Sequence, residues 1–177
     1  DPGFTDPTTV SHSNESWAVC GQGDYDLTDN WILTAGIRWT YDDKELDAPA
    51  GQSTDIDDDQ VSGNLSLAYT MSDNSMVWGK IASGFRGPSI QGRDVAFGGV
   101  SSVADSETIN SIEFGYKAEF LDNRARLNAA VYYYEVDDIQ FSVVGGDGNS
   151  VTVINADSSN AAGMELDLQF LVNEYID

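Results

Sequence analysis

The chain has 177 residues, and its eight basic against thirty acidic side chains leave a formal charge of −22. That length suits a single domain, and so negative a field repels phosphate backbones, which excludes nucleic acid as a partner. No stretch approaches the roughly 18 apolar residues of a membrane-crossing helix, and Cys20, alone and with only His12 in its segment, supports neither an internal disulfide nor a zinc site.

Taken in order, residues 1–14 are turn-rich and without period, which predicts a loop. They carry no basic region and no apolar run of a signal peptide, so the chain reads as mature or as cut from something longer. From Ser16 the odd positions are Trp17, Val19, Gly21, Gly23 and Tyr25. After a turn at residues 27–30 they are Trp31, Leu33, Ala35, Ile37, Trp39 and Tyr41, alternating with Thr34, Gly36, Arg38 and Thr40. This period of two predicts a pair of strands of about ten residues each. Trp17, Trp31, Trp39 and Tyr41 fall near the expected strand ends, where the aromatic girdles of membrane barrels lie.

Residues 42–60 are acidic and contain Pro49 and Gly51, which predicts a long loop. Val61–Tyr69 resumes the alternation, Ser72–Ser75 is a short turn, and Met76–Arg86 places Val77, Ile81 and Phe85 on one face with Lys80 and Arg86 on the other. Residues 87–106 predict a second long loop, rich in Gly and Ser.

Glu107–Tyr134 is the clearest hairpin. Ile112, Phe114, Tyr116, Ala118 and Phe120 alternate with Ser111, Glu113, Gly115, Lys117 and Glu119. With a two-residue turn at Asp122-Asn123, paired positions sum to 245, so Ile112, Phe114, Tyr116 and Ala118 meet Tyr133, Val131, Ala129 and Leu127, and Glu119 meets Arg126. One register satisfies both faces, and a slip of one residue would destroy it. Residues 137–160 form a third excursion, with short β-like runs at 139–144 and 151–155 around residues 145–149. Ala162, Met164, Leu166, Leu168 and Phe170 then alternate with Gly163, Glu165, Asp167 and Gln169 as a seventh strand, and residues 172–177 read as a truncated turn.

Seven strands joined alternately by short turns and long loops predict an all-β fold, an antiparallel transmembrane β-barrel segment with short periplasmic turns and long external loops. The barrel region spans residues 15–171. Soluble sandwiches show shorter strands and no such bias between their ends.

Other sites have little support. Asp55, Asp57 and Asp59 have the spacing of a calcium loop, but Gln60 and Ser66 occupy the positions that need Gly and Glu. Residues 145–149 look like one nonapeptide repeat, and such repeats work only when stacked. No nucleophile elbow, metal-binding His pair or phosphate loop is present, so no enzyme, cofactor or metal is expected. Arg38, Lys80, Glu113, Lys117, Glu119, Arg126, Glu165 and Asp167 are expected to line the barrel lumen.

Several segments carry a resemblance. They are residues 18–22, 25–31 and 34–40, then Ala82-Ser83-Gly84-Phe85-Arg86-Gly87-Pro88, Glu113-Phe114-Gly115-Tyr116-Lys117, Leu127–Tyr133 and Gly163-Met164-Glu165-Leu166. Each is weak alone, but their ordered succession over residues 16–170 resembles the barrel of TonB-dependent outer-membrane receptors. Cys20 departs from that pattern, standing where the family usually has an aromatic residue. The family's plug, TonB box and final aromatic-ended strand have no counterpart among these residues, and its barrels have 22 strands.

The resemblance implies a piece of an outer-membrane receptor of a Gram-negative bacterium. Such a receptor contacts lipid, engages the TonB energy-transducing protein through a plug, and takes up a scarce small-molecule nutrient, most often a ferric siderophore. It further implies that residues 42–60, 87–106 and 137–160 supply substrate contacts, with Arg86 and Arg93 the basic groups nearest a ligand. A passive porin-like or adhesin barrel, or a soluble secreted β-module, remains the alternative.

Overall fold

The computed structural model describes residues 9–48, 52–146 and 150–172. Seven long strands form one antiparallel sheet: β1 (Ser11–Thr28), β2 (Trp31–Ala48), β3 (Gln52–Ser72), β4 (Ser75–Arg86), β7 (Glu107–Phe120), β8 (Ala125–Gly145) and β9 (Ser150–Phe170). They lie in the order β1-β2-β3-β4-β7-β8-β9, while β5 (Ser89–Gln91) and β6 (Ser102–Ala104) pair separately. Each of the seven lies beside its neighbour in sequence, so the sheet is a meander with β1 and β9 at its open edges. It does not close into a barrel within the described residues.

At one end the strands are joined by tight turns. At the other, the hairpins β2–β3 and β8–β9 rise well past the β4–β7 pair, whose ladder stops at Arg86 opposite Glu107. Pro88 explains the stop: it has no N–H for a ladder and forces its predecessor out of regular pairing.

The register across all seven strands sorts the side chains by chemistry. One row runs Leu33, Leu67, Gly79, Phe114, Val131 and Met164, and the next Ala35, Leu65, Ile81, Ile112, Tyr133 and Ala162. These residues share one face, and most of the large ones are exposed: Phe114 is 56% and Met164 75% accessible. The described residues therefore do not fold this face into a second layer. Trp31 and Tyr69, with ring centroids 4.5 Å apart, close the stripe below, and Trp17, Trp39 and Tyr41 close it above. From Trp31 to Tyr41 the strand rises about 34 Å at about 3.4 Å per residue. Tilted by about 40°, that spans about 25 Å, the height of a membrane barrel's apolar band.

Several details differ from the sequence expectation. Residues 11–14, read as loop, are strand, and His12 pairs with Leu46 instead of lying in an unstructured segment. Residues 42–48 and 52–60, also read as loop, continue the β2–β3 ladder, and 137–145 with 150–160, read as an excursion holding two short β-like runs, continue β8–β9 as one unbroken hairpin. Six of the seven main strands exceed ten residues by four or more, and five of them reach 18 to 21 by running on above the aromatic rows. The girdle aromatics thus mark the edge of the apolar stripe, not the end of the ladder. The alternation that reveals a strand vanishes where water wets both faces, although the hydrogen-bonded ladder persists. Pro49, Gly51, residues 147–149 and most of the 172–177 turn lie outside the described residues.

The β7–β8 register summing to 245 is the observed one. Its turn is four residues long, 121–124, with Leu121, Asp122 and Asn123 all at positive φ (57°, 56° and 62°). Asp and Asn tolerate that conformation, Leu less readily.

Candidate functional site

The face opposite the apolar stripe carries the charges. Even positions of β2 and β4, odd positions of β7 and β9 and even positions of β8 share it, so one surface collects Arg38, Lys80, Glu113, Lys117, Glu119, Arg126, Glu165 and Asp167. Lys80 and Glu113 are cross-strand partners 3.8 Å apart. Arg126 donates from both Nε and Nη2 to Glu119, at 3.0 and 2.7 Å. Asn128 Nδ2 donates to Asp167 at 3.2 Å, and Thr34 donates to Asp24 at 2.6 Å. Arg38 donates from Nε to the hydroxyl of Thr40. Half-exposed pairs of this kind contribute little stability each, about 0–1 kcal/mol, but keep the surface wet.

Aromatic rings interrupt the polar surface where glycine leaves room. Trp78 lies over Gly115 and Tyr132 over Gly163, each so close that a Cβ on the glycine would overlap the ring. Tyr132 also stacks on Tyr134, at 6.2 Å between centroids. The indole Nε1 of Trp78 is covered and has no hydrogen-bond partner among the described residues. Glycine alternating with large residues was visible in the sequence, but which ring covers which glycine depends on strand order.

At the external end the same face supports the only packed core among the described residues. The 87–106 connection folds inward across it instead of standing as an open loop. β5 and β6, with the 3-10 turn at Arg93–Phe97 between them, bury Leu46, Pro88, Val95, Ala104 and Val153. The polar joints of this core rest on Gln140 and Asn155, two residues that sequence reasoning passed over. Their only signal was a polar side chain at an alternate position in a short β-like run.

Arg86 and Arg93 flank the core. Arg86 faces Glu107 across the β4–β7 pair at 3.9 Å, and Arg93 is 3.7 Å from Asp94. The two arginines therefore sit at the end of the sheet away from the tight turns, with carboxylates already beside them.

Above the aromatic rows the outward face of β1–β3 turns acidic. Glu15, Asp43 and Asp57 form one row and Glu45 faces Asp55 in the next, an arrangement of like charges that weakens local pairing. Strand alternation puts Asp57 and Asp58 on opposite faces, and among the described residues no three acidic, His or Cys side chains converge on one point.

The profile of the family described as TonB dependent receptor-like, beta-barrel matches residues 1–175. The chain belongs to that family. Its relatives include the pesticin receptor of Yersinia enterocolitica, 27% identical over 94% of this chain and 24% of the receptor. Another is a probable TonB-dependent siderophore receptor, PiuA, of Acinetobacter baumannii, 24% identical over 87% of this chain and 21% of that protein. Among solved structures, the ferric yersiniabactin uptake receptor FyuA of Yersinia pestis superposes with a TM-score of 0.79 at 24% identity, over 94% of this chain and 26% of that one. The chain thus spans about a quarter of the length of the proteins it matches. The family is one of outer-membrane proteins of Gram-negative bacteria, and its relatives are receptors and not enzymes.

Proposed function

We propose that this chain is one arc of the barrel of a TonB-dependent receptor that imports a ferric siderophore. The remaining strands and a plug would come from the rest of a longer protein. The observation that carries the reading is the two-sided register. Seven strands place exposed Phe114, Val131, Leu166 and Leu168 on one face and the eight charged residues from Arg38 to Asp167 on the other. An apolar face this extensive is stable only against acyl chains or another apolar layer. A face of half-exposed ion pairs suits a hydrated lumen.

On this reading the eight charged residues line the lumen and hydrate its contact with the plug, through which TonB delivers energy. The external segments 42–60, 87–106 and 137–160 contact the ligand. Arg86 and Arg93 meet its negative groups. Their neighbours Glu107 and Asp94 and the net charge of −22 moderate that attraction, which favours a chelate of low net charge. Deleting the parent gene and measuring growth on ferric siderophores as sole iron source tests the function. Growth lost on one siderophore, and restored by the full-length gene only when TonB is present, is the expected result. Uptake indifferent to TonB would convert the protein into a passive porin-like barrel.

A further inference from the structure

The 87–106 segment joins two adjacent strand ends, Arg86 and Glu107, which are themselves a cross-strand pair. Nothing in that connection requires it to travel. It nevertheless leans across the inner face to reach both tall hairpins. On the β2–β3 side, Lys44 Nζ donates to the carbonyl of Pro88 at 2.6 Å, Ser106 donates to Asp58, and the hydroxyls of Ser101 and Thr54 bond each other. On the β8–β9 side, the amides of Val151 and Val153 donate to the side chains of Asp94 and Ser102, both at 2.9 Å.

Both feet of the segment are tied by one side chain. Gln140, 9% exposed, donates from Nε2 to the carbonyls of Gly87 and Asp105, each at 2.9 Å, and its Oε1 accepts from Ser89. Its backbone N–H donates to Glu107. Both amide hydrogens, the full side-chain donor set of this residue type, are thus used, and the amide oxygen accepts as well. Asn155 repeats the tie at one foot, accepting from the Asp105 N–H and donating to the carbonyls of Asp105 and Asp138. Lifting the segment would strand a buried amide and uncover Leu46, Val95 and Val153 at the same time.

We propose that residues 87–106 are a standing size filter at the outer mouth, with Gln140 as its positioning residue and Asn155 as its second support. The filter rests on the receptor reading only in taking the inner face as the ligand's side. It stays in place whether or not ligand is bound, and it sets how bulky a solute can reach the inner face.

Cys20 supplies a probe, because it is exposed and lies on the inner face opposite Arg38. In the full-length receptor, with any other cysteine replaced, N-ethylmaleimide should label Cys20 at the same rate in wild type and Gln140→Leu. A maleimide on a long polyethylene glycol chain should label the variant about ten-fold faster than wild type. Hydrogen exchange should rise by about the same factor over 89–105 and stay unchanged in β7 and the lower half of β8. Asn155→Ala should give the same pattern more weakly. Where Gln140→Leu fails to fold, Gln140→Glu, which keeps the length and loses both donors, takes its place.

The filter is overturned if wild-type 87–106 exchanges like an open chain, or if the large reagent reacts with wild type and variant equally. Equal acceleration of both reagents overturns it too. Absence of ferric siderophore binding by wild type would instead refute the receptor reading, and would leave the size dependence of labelling as measured.

Discussion

The apolar band and the external end are built from the same ladder, yet they are held by different forces. In the band, Phe114, Val131, Tyr133 and Leu166 touch their row neighbours and are otherwise exposed, so the backbone ladder is what fixes them. At the external end Leu46, Val95, Ala104 and Val153 are buried under a folded-in segment, with Gln140 satisfied by four partners. On the proposed reading the difference follows from the solvent on each side. A sheet facing acyl chains needs no second protein layer, because the lipid supplies one. A sheet in water must cover whatever apolar surface it carries, and residues 87–106 do so on the inner side.

The largest expected effect tests that contrast directly. Phe114→Arg, in the middle of the stripe, should destabilise the bilayer-embedded full-length receptor by about 2–4 kcal/mol in a urea titration. Phe141→Arg should cost less than about 1 kcal/mol, because Phe141, on the same outward side, is separated from the stripe by Glu135 and Asp137. Equal costs would abolish the distinction between the two regions.

Leu46→Ala should remove about 2–3 kcal/mol from the external core alone. The signature is faster amide exchange over 89–104 with the band strands unaltered, and a uniform increase would mean that the two regions unfold as one. Gly115→Val should displace the Trp78 ring and cost about 1–3 kcal/mol by overpacking, visible as a change in indole fluorescence alongside the urea midpoint. The smallest effect belongs to Glu119→Gln. Its partner Arg126 is 57% exposed, so the loss should stay below about 1 kcal/mol and disappear in high salt.

Legibility in the sequence followed the same division. The Glu107–Tyr134 hairpin could be read to the exact pair because both faces are patterned and only one register satisfies them. The four-residue turn escaped notice because the sum of 245 holds whether the strands stop at 121 and 124 or run on to the tip. Asp42–Asp47 and Asp55–Asp59 looked like loop because Asp is depleted in strands and no face there is apolar. The inward fold of 87–106 was invisible for another reason. It depends on Gln140 and Asn155, more than thirty residues further on, and no local period marks them. The shared face of Arg38, Lys80 and Glu165 needed only parity, whereas the positions of Arg86 and Arg93 beside Glu107 and Asp94 needed the fold.

The way the inward segment is anchored also bears, on the proposed reading, on how such a protein could change its diet. Gln140 grips residues 87 and 105, so its hold ignores the number of residues between them. The tip at Gly98 and Gly99, where Gly98 turns at φ 81°, could lengthen with small penalty, since doubling a loop adds only about 0.6 kcal/mol of closure entropy. Insertions there would reshape the doorway for a new cargo and leave its frame standing.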